Sequence, residues 1–335
     1  MIDFPFKLIT SLLCLYLSAC TPGIYEPGAA IGNGQILDNR FITADGTQLP
    51  LKHWIPQNSP VKAVLIAIHG FNDYSNFLQK PGHFFSQQGI ACYAYDQRGF
   101  GGSPKRGLWS GTQAYIDDLN LFVRLSRQKY QGLPIYLLGE SMGGAIVIAT
   151  LSNELNTPVD GAILVAPAVW ARQTMPWYQQ SLLWTLAHTL PWLTVTGKGI
   201  KVMPSDNIEM LKALSKDPWV IKSTRIETIY GLTDLMDDAL NKATKIEAKT
   251  LMLYGEKDDI IPKDATSQFV TEFLKTYPER KTIAFYEKGY HMLLRDLGAA
   301  TTWQDIVSWI NTMSAPLPSG ADLHAKQVLV ENGNY

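Results

Sequence analysis

The run Ile135-Tyr136-Leu137-Leu138-Gly139-Glu140-Ser141-Met142-Gly143-Gly144-Ala145-Ile146-Val147 decides the fold. Its first four residues are apolar and suit a buried strand. Gly-x-Ser-x-Gly follows, and a second apolar run begins at once with helix formers. That is a strand, a tight turn and a helix, with Ser141 at the apex. Gly139 and Gly143 flank the serine because a side chain at either place would collide across the turn. Gly143 and Gly144 also let the new helix cross close over the sheet. Ser141 Oγ would then stand clear of the sheet, while the helix start adds backbone donors and a positive dipole end. The pentapeptide alone is common; its strand–helix context makes it informative.

Outward from this run the chain alternates. Gln35 to Ile42 and Leu49 to Ile55 are strand-like around the turn signal Ala44-Asp45-Gly46-Thr47. Val61 to Ile68 is continuously apolar, as a strand covered on both faces requires. A helix from about Ser75 to Gln88, a strand Ile90 to Tyr95, and an amphipathic helix Thr112 to Gln131 follow, then Ile135 to Leu138 and a strand Ala162 to Val165. From Val169 to Lys245 the alternation stops. Trp170, Trp177, Tyr178, Trp184, Trp192, Trp219 and Tyr230 crowd this stretch, and Pro176, Pro191, Pro204 and Pro218 cut it into short, helical pieces. The pattern resumes with a strand Thr250 to Tyr254, a helix Asp264 to Thr276, a strand Thr282 to Tyr286 and a helix Thr301 to Thr312. The expected fold is therefore α/β, a mostly parallel central sheet with helices on both faces. The core runs over 35–168 and 246–313. A helical cap at 169–245 sits over the carboxyl ends of the strands, where open α/β sheets carry their sites. Residues 314–335 read as a polar, weakly ordered tail.

Composition narrows the function classes. The 335 residues are 46% hydrophobic and 18% charged, with 29 basic against 30 acidic residues and no long run of either sign. A nucleic-acid partner would need clustered Lys and Arg, so none is expected. The three cysteines, Cys14, Cys20 and Cys92, form neither a disulfide framework nor a zinc spacing. No metal or other cofactor is expected, and the sequence carries no signal for an oligomeric state.

A serine hydroxyl is a poor nucleophile at neutral pH and needs a base within hydrogen-bond reach, itself oriented by a third group. For an elbow serine the chain order is Ser, then Asp, then His. The strand after the insertion ends in Gly255-Glu256-Lys257-Asp258-Asp259, and the next ends in Gly289-Tyr290-His291. Each places a candidate at the same sheet edge as Ser141, with Asp258 and Asp259 both available as the acid.

With these residues in place the chain resembles the α/β-hydrolase superfamily, and within it the monoacylglycerol lipase/lysophospholipase-like serine hydrolases. The matching motifs are His69-Gly70, Asp96-x-Arg98-Gly99-x-Gly101-x-Ser103, Gly139-x-Ser141-x-Gly143, Gly255-x-x-Asp258 and Tyr290-His291, over about Phe41 to Trp309. The resemblance implies an α/β-hydrolase fold and a catalytic set of Ser141, Asp258 and His291, with Asp258 chosen over Asp259. It implies an oxyanion hole from the backbone N–H groups of Phe71 and Met142, and a supporting role for His69 in the Phe71 loop. Asp96 and Arg98 read as a structural charged pair with a glycine turn beneath the site, and Glu140 as solvent rim or substrate contact. The implied reaction is cleavage of a carboxylic ester of a monoacyl lipid, a lysophospholipid or monoacylglycerol, through an acyl-enzyme. An aminopeptidase or thioesterase would use the same triad; a peptidase would need cap carboxylates such as Glu209, Glu227, Asp234, Asp237 or Asp238 to hold a free amine. A non-catalytic lipoprotein binding lipid or a partner on this scaffold is the reading of a different class. The apolar residues at helical spacing in the cap (Trp177, Leu182, Leu183, Trp184, Leu186, Leu190) are most simply the cap's own core.

The first segment reads as an address. Lys7 precedes an apolar run from Leu8 to Leu17, too short for a permanent span, and Leu17-Ser18-Ala19-Cys20 resembles the bacterial lipobox. Residues 1–19 are then a signal peptide, Cys20 the lipidated first residue of the mature protein, and 20–34 a Pro/Gly-rich tether. Thr21 after the cysteine favours the outer membrane, so the expectation is a lipid-anchored protein of the bacterial envelope facing the periplasm.

Overall fold

The computed structural model describes residues 21–153, 158–197, 199, 201–314 and 316–331. The signal segment and Cys20 lie outside the described residues. Eleven strands appear among them: β1 Gln35–Ile36, β2 Arg40–Ile42, β3 Gln48–Trp54, β4 Ala63–Ile68, β5 Ile90–Tyr95, β6 Ile135–Glu140, β7 Gly161–Val165, β8 Thr194–Val195, β9 Thr224–Arg225, β10 Thr250–Gly255 and β11 Lys281–Tyr286. The helices are α1 Gln79–Gln87, α2 Thr112–Lys129, α3 Met142–Leu151, α4 Trp177–Thr189, α5 Ile208–Lys216, α6 Ile226–Asn241, α7 Lys263–Leu274, α8 Ala299–Thr312 and α9 Ala321–Glu331. Nine strands form one sheet in the order β1-β2-β3-β5-β4-β6-β7-β10-β11. Strands β4, β5, β6, β7, β10 and β11 run parallel, while β1, β2 and β3 form an antiparallel edge.

The parallel strands are buried end to end because both faces are covered. Val64, Ile66 and Ile68 of β4 join a core with Tyr115, Leu119 and Phe122 of α2 and Phe269 and Phe273 of α7. The alternate residues Ala63, Leu65 and Ala67 face the other way, onto Phe85 of α1 and Ile306, Trp309 and Ile310 of α8. The period-2 alternation of a strand thus feeds two cores from one apolar run.

Two expectations are corrected. The run 35–42 is two short strands, not one, because a turn closes between them with Leu37 N–H donating to Arg40 C=O. The stretch 314–335, read as a weakly ordered tail, contains α9, which packs on β11. Leu317, Ala321, Ala325 and Leu329 recur every fourth residue and are all buried, a stripe diluted to invisibility by its polar neighbours.

Residues 21–34 lie along the body. Gly23 N–H donates to Glu227 Oε2 of α6 at 3.2 Å, Tyr25 N–H to Trp109 C=O, Gly28 N–H to Asp45 Oδ2, and Ile31 and Gly32 N–H to Ala44 C=O.

The stretch between β7 and β10 holds α4, α5, α6 and the small antiparallel pair β8–β9. Its last helix is part of the main core: Leu235, Ala239 and Leu240 of α6 are buried and pack against α3. Helix α4 is different. Ala187 is its one buried residue, and Trp177 (76% exposed), Tyr178, Leu182 and Trp184 face outward. These residues are not the cap's internal core, because α4 packs along α6 on one side and its other side meets solvent. Among the described residues no helix is long and apolar enough to cross a membrane.

Candidate active site

The register of β4 on β6 pairs Ile68 with Gly139, so the loops leaving both strands emerge side by side. At the end of β6, Ser141 takes φ 54° and ψ −118°, a conformation that L-residues rarely adopt and that costs about 1–3 kcal/mol. The turn closes so tightly that a Cβ on Gly139 would stand 2.3 Å from Gly143 C=O, and one on Gly143 would stand 2.1 Å from Ile68 C=O. Gly143→Ala is therefore expected to destabilise the fold by about 3 kcal/mol, read as a lower urea midpoint at unchanged slope. Met142 opens α3, so its N–H belongs to the helix-start donors that have no intrahelical acceptor.

The loop after β4 is held from behind. His69 is fully buried; its Nδ1–H donates to Gly70 C=O at 2.8 Å, and its Nε2 accepts from Gln97 N–H at 3.0 Å. The two bonds fix one neutral tautomer, and burial lowers the imidazole pKa further. Gly70 faces the serine: a Cβ there would lie 3.3 Å from Ser141 Cβ. Phe71 follows directly, against the Phe100 ring. The loop is also tied to the cap, with Ile221 N–H donating to Asn72 C=O and Asn72 Nδ2 to Thr224 Oγ1.

Strands β10 and β11 supply the acid and the base. Their loops interlock: Lys257 N–H donates to Gly289 C=O at 2.9 Å, and Gly255 has no space for a Cβ against Gly289 and Tyr290. Asp258 Oδ1 accepts from the N–H groups of Ile260 (2.7 Å) and Ile261 (3.0 Å), while Oδ2 faces His291 Nδ1 at 2.8 Å. The carboxylate can only accept, so Nδ1 carries the proton and Nε2 is left with its lone pair. Asp258 and His291 are buried, whereas Asp259 is exposed.

The structure adds two residues that motif reading did not mark. Arg295, four residues after His291, meets Glu140 Oε2 through Nη2 at 2.8 Å and Asp73 Oδ2 through Nη1 at 2.7 Å. All three side chains are nearly or fully buried. Burial pushes the Glu140 carboxyl above its ordinary pKa, Arg295 pulls it back, and Asp73 adds to the rise. Glu140 is thus neither rim nor substrate contact but one arm of a buried ion triad. Removing one member of such a pair costs about 3–5 kcal/mol because the other charge is left buried. Spacing gave no signal for it, since its three members come from three separate stretches of the chain: the loop after β4, the end of β6 and the loop after β11.

Asp96 and Arg98 also differ from expectation: they do not pair with each other. Asp96 accepts from Ser75 N–H and Gly102 N–H, fixing the loops on either side. Arg98 forks onto Asp45 and Asp118, joining the β2–β3 turn to α2. Both remain structural, as the sequence suggested.

A parallel sheet carrying an elbow serine, an Asp–His pair on the following strand ends and a cap between β7 and β10 is the α/β-hydrolase fold. The sequence profile of the family described as "serine aminopeptidase, S33" matches residues 59–298, and the chain belongs to that family of hydrolases. The chain is similar to human monoglyceride lipase, 25% identical over 281 residues covering 82% of this chain and 90% of that one. It is similar also to the monoacylglycerol lipase of Mycolicibacterium smegmatis, 24% identical over 285 residues, 82% and 96% of the two chains. Among solved structures, a soluble variant of Saccharomyces cerevisiae monoglyceride lipase in complex with a substrate analog superimposes with a TM-score of 0.70 at 20% identity, covering 89% of this chain and all of that one. The Paleococcus ferrophilus monoacylglycerol lipase gives 0.65 at 24% identity, covering 79% and 99%.

Proposed function

We propose that this chain hydrolyses carboxylic esters of monoacyl lipids, monoacylglycerols or lysophospholipids, through an acyl-enzyme on Ser141. The observation that carries the chemistry is the buried Asp258–His291 pair, 2.8 Å apart, at the sheet edge from which the strained Ser141 projects. Ser141 Oγ attacks the ester carbonyl as His291 Nε2 takes its proton. Asp258 holds Nδ1–H and stabilises the imidazolium that forms. The oxyanion is met by the N–H groups of Phe71 and Met142, each contributing about 3–4 kcal/mol in sites of this kind. The alcohol leaves with the proton from His291, and water activated by the same imidazole releases the fatty acid.

The monoacyl-lipid assignment rests on the lipases that the chain resembles and on the outward apolar face of α4, which suits an amphiphilic substrate. The peptidase alternative finds less support. Asp234 and Asp237 are both paired with Arg172, Asp238 with Lys242, Glu227 with Arg225 and Glu209 with Lys212, so each cap carboxylate weighed for a free amine already has a cation. p-Nitrophenyl esters of rising chain length test the reading. We expect kcat/KM to rise from acetyl to at least octanoyl; activity confined to acetyl and butyryl esters would overturn the lipid assignment.

The same proposal includes the envelope address. With Cys20 lipidated, the anchor would lie three residues before Gly23, whose N–H is bonded to Glu227 of α6. Cys20→Ala is expected to move the protein from the membrane fraction to the soluble fraction; unchanged membrane retention would remove the anchor from the account.

A further inference from the structure

The ion triad joins the three loops on which the reaction depends. Asp73 is in the loop that carries Phe71, Glu140 is the residue before Ser141, and Arg295 belongs to the loop that carries His291. Asp73 is fixed in its own loop, with Oδ1 accepting from Tyr74 N–H at 2.8 Å. Arg295 is the side chain that reaches both other loops, with one nitrogen to each carboxylate. We infer that Arg295 is a positioning residue for ester hydrolysis: through Asp73 and Glu140 it holds the oxyanion loop, the serine elbow and the histidine loop in one arrangement.

The inference rests on Ser141, Asp258 and His291 performing the chemistry. Its physical logic is that a catalytic constellation misplaced by about 1 Å can lose about 100-fold in rate. The triad bonds the end of β6, directly before the serine, to the loops after β4 and β11. The Nη2 hydrogen bond to Glu140 sets orientation as well as distance, while Nη1 meets Asp73 as an ion pair.

The test uses the full chain, p-nitrophenyl butyrate, and the variants Arg295→Met, Arg295→Lys and Glu140→Gln, each followed by kcat, KM and thermal melt. The expected result is a fall of about 100-fold in kcat for Arg295→Met with KM within a few-fold. Arg295→Lys should recover at least a tenth of wild-type turnover. A loss confined to kcat and recovered by lysine is a pattern that a purely packing role would not produce. Where Arg295→Met does not fold, the triple variant Asp73→Asn/Glu140→Gln/Arg295→Met leaves no buried charge unpaired and carries the kcat measurement. A folded variant without Arg295 that keeps kcat within two-fold of wild type overturns the inference. Ser141→Ala run alongside separates the two readings. If it retains turnover, the catalytic assignment fails; if it is inactive while the Arg295 variants behave as wild type, the positioning role alone fails.

Discussion

Ser141→Ala is expected to lower kcat by about 10⁶-fold, equivalent to about 8 kcal/mol of transition-state stabilisation, and to abolish labelling by a fluorophosphonate. The loss is large because no second hydroxyl stands at the apex; water would have to attack in its place. Some acceleration over the uncatalysed reaction should remain, since the backbone donors of Phe71 and Met142 are untouched by the change. The fold makes a second, independent expectation. Alanine at φ 54° keeps the backbone strain of the serine, whereas glycine relieves it. Ser141→Gly should therefore be as inactive as Ser141→Ala yet more stable by about 1 kcal/mol, measured by urea unfolding. Labelling that survives in Ser141→Ala would place the nucleophile elsewhere. Equal stability of the two variants would mean that the elbow relaxes in solution.

The parts of the molecule that were legible in the sequence share one property: their signal is local. The parallel strands are unbroken apolar runs because both faces are covered, and each site residue sits a few positions beyond such a run. The glycines at 139, 143 and 255 mark places where backbone meets backbone and a Cβ has no room. What stayed hidden depends on partners far along the chain. Arg295 acquires its role from Asp73 and Glu140, which lie more than 150 positions away. The burial of α9 rests on a stripe of four apolar residues whose surface, β11, lies beyond the local window. The exposure of α4 is the converse case. Trp177 and Trp184 at helical spacing look like packing, and only the absence of a neighbour among the described residues on that side of α4 makes them surface. Apolar periodicity indicates that a face exists, without indicating what will cover it.

Asp258→Asn is expected to reduce kcat by about 10⁴-fold while leaving the fold nearly intact. The size of the effect follows from how the side chain is held. Oδ1 accepts two backbone N–H groups, from Ile260 and Ile261, so the oxygen of an asparagine must occupy that position and its amide nitrogen must take the place of Oδ2. An N–H donor then faces His291 Nδ1, which can respond only by becoming an acceptor. The ring proton moves to Nε2, the nitrogen that has to receive the serine proton, and general-base catalysis is lost although no atom has moved far. Asp259→Asn is the control, since that carboxylate is exposed and carries none of these bonds; its kcat should stay within about two-fold of wild type, as for surface changes elsewhere. Because the asparagine retains both backbone hydrogen bonds, the melting temperature of Asp258→Asn should change little, which separates a tautomer effect from unfolding. Should Asp258→Asn keep more than a tenth of wild-type turnover, His291 does not depend on this carboxylate for its tautomer, and if the large loss falls on Asp259→Asn the acid belongs at position 259.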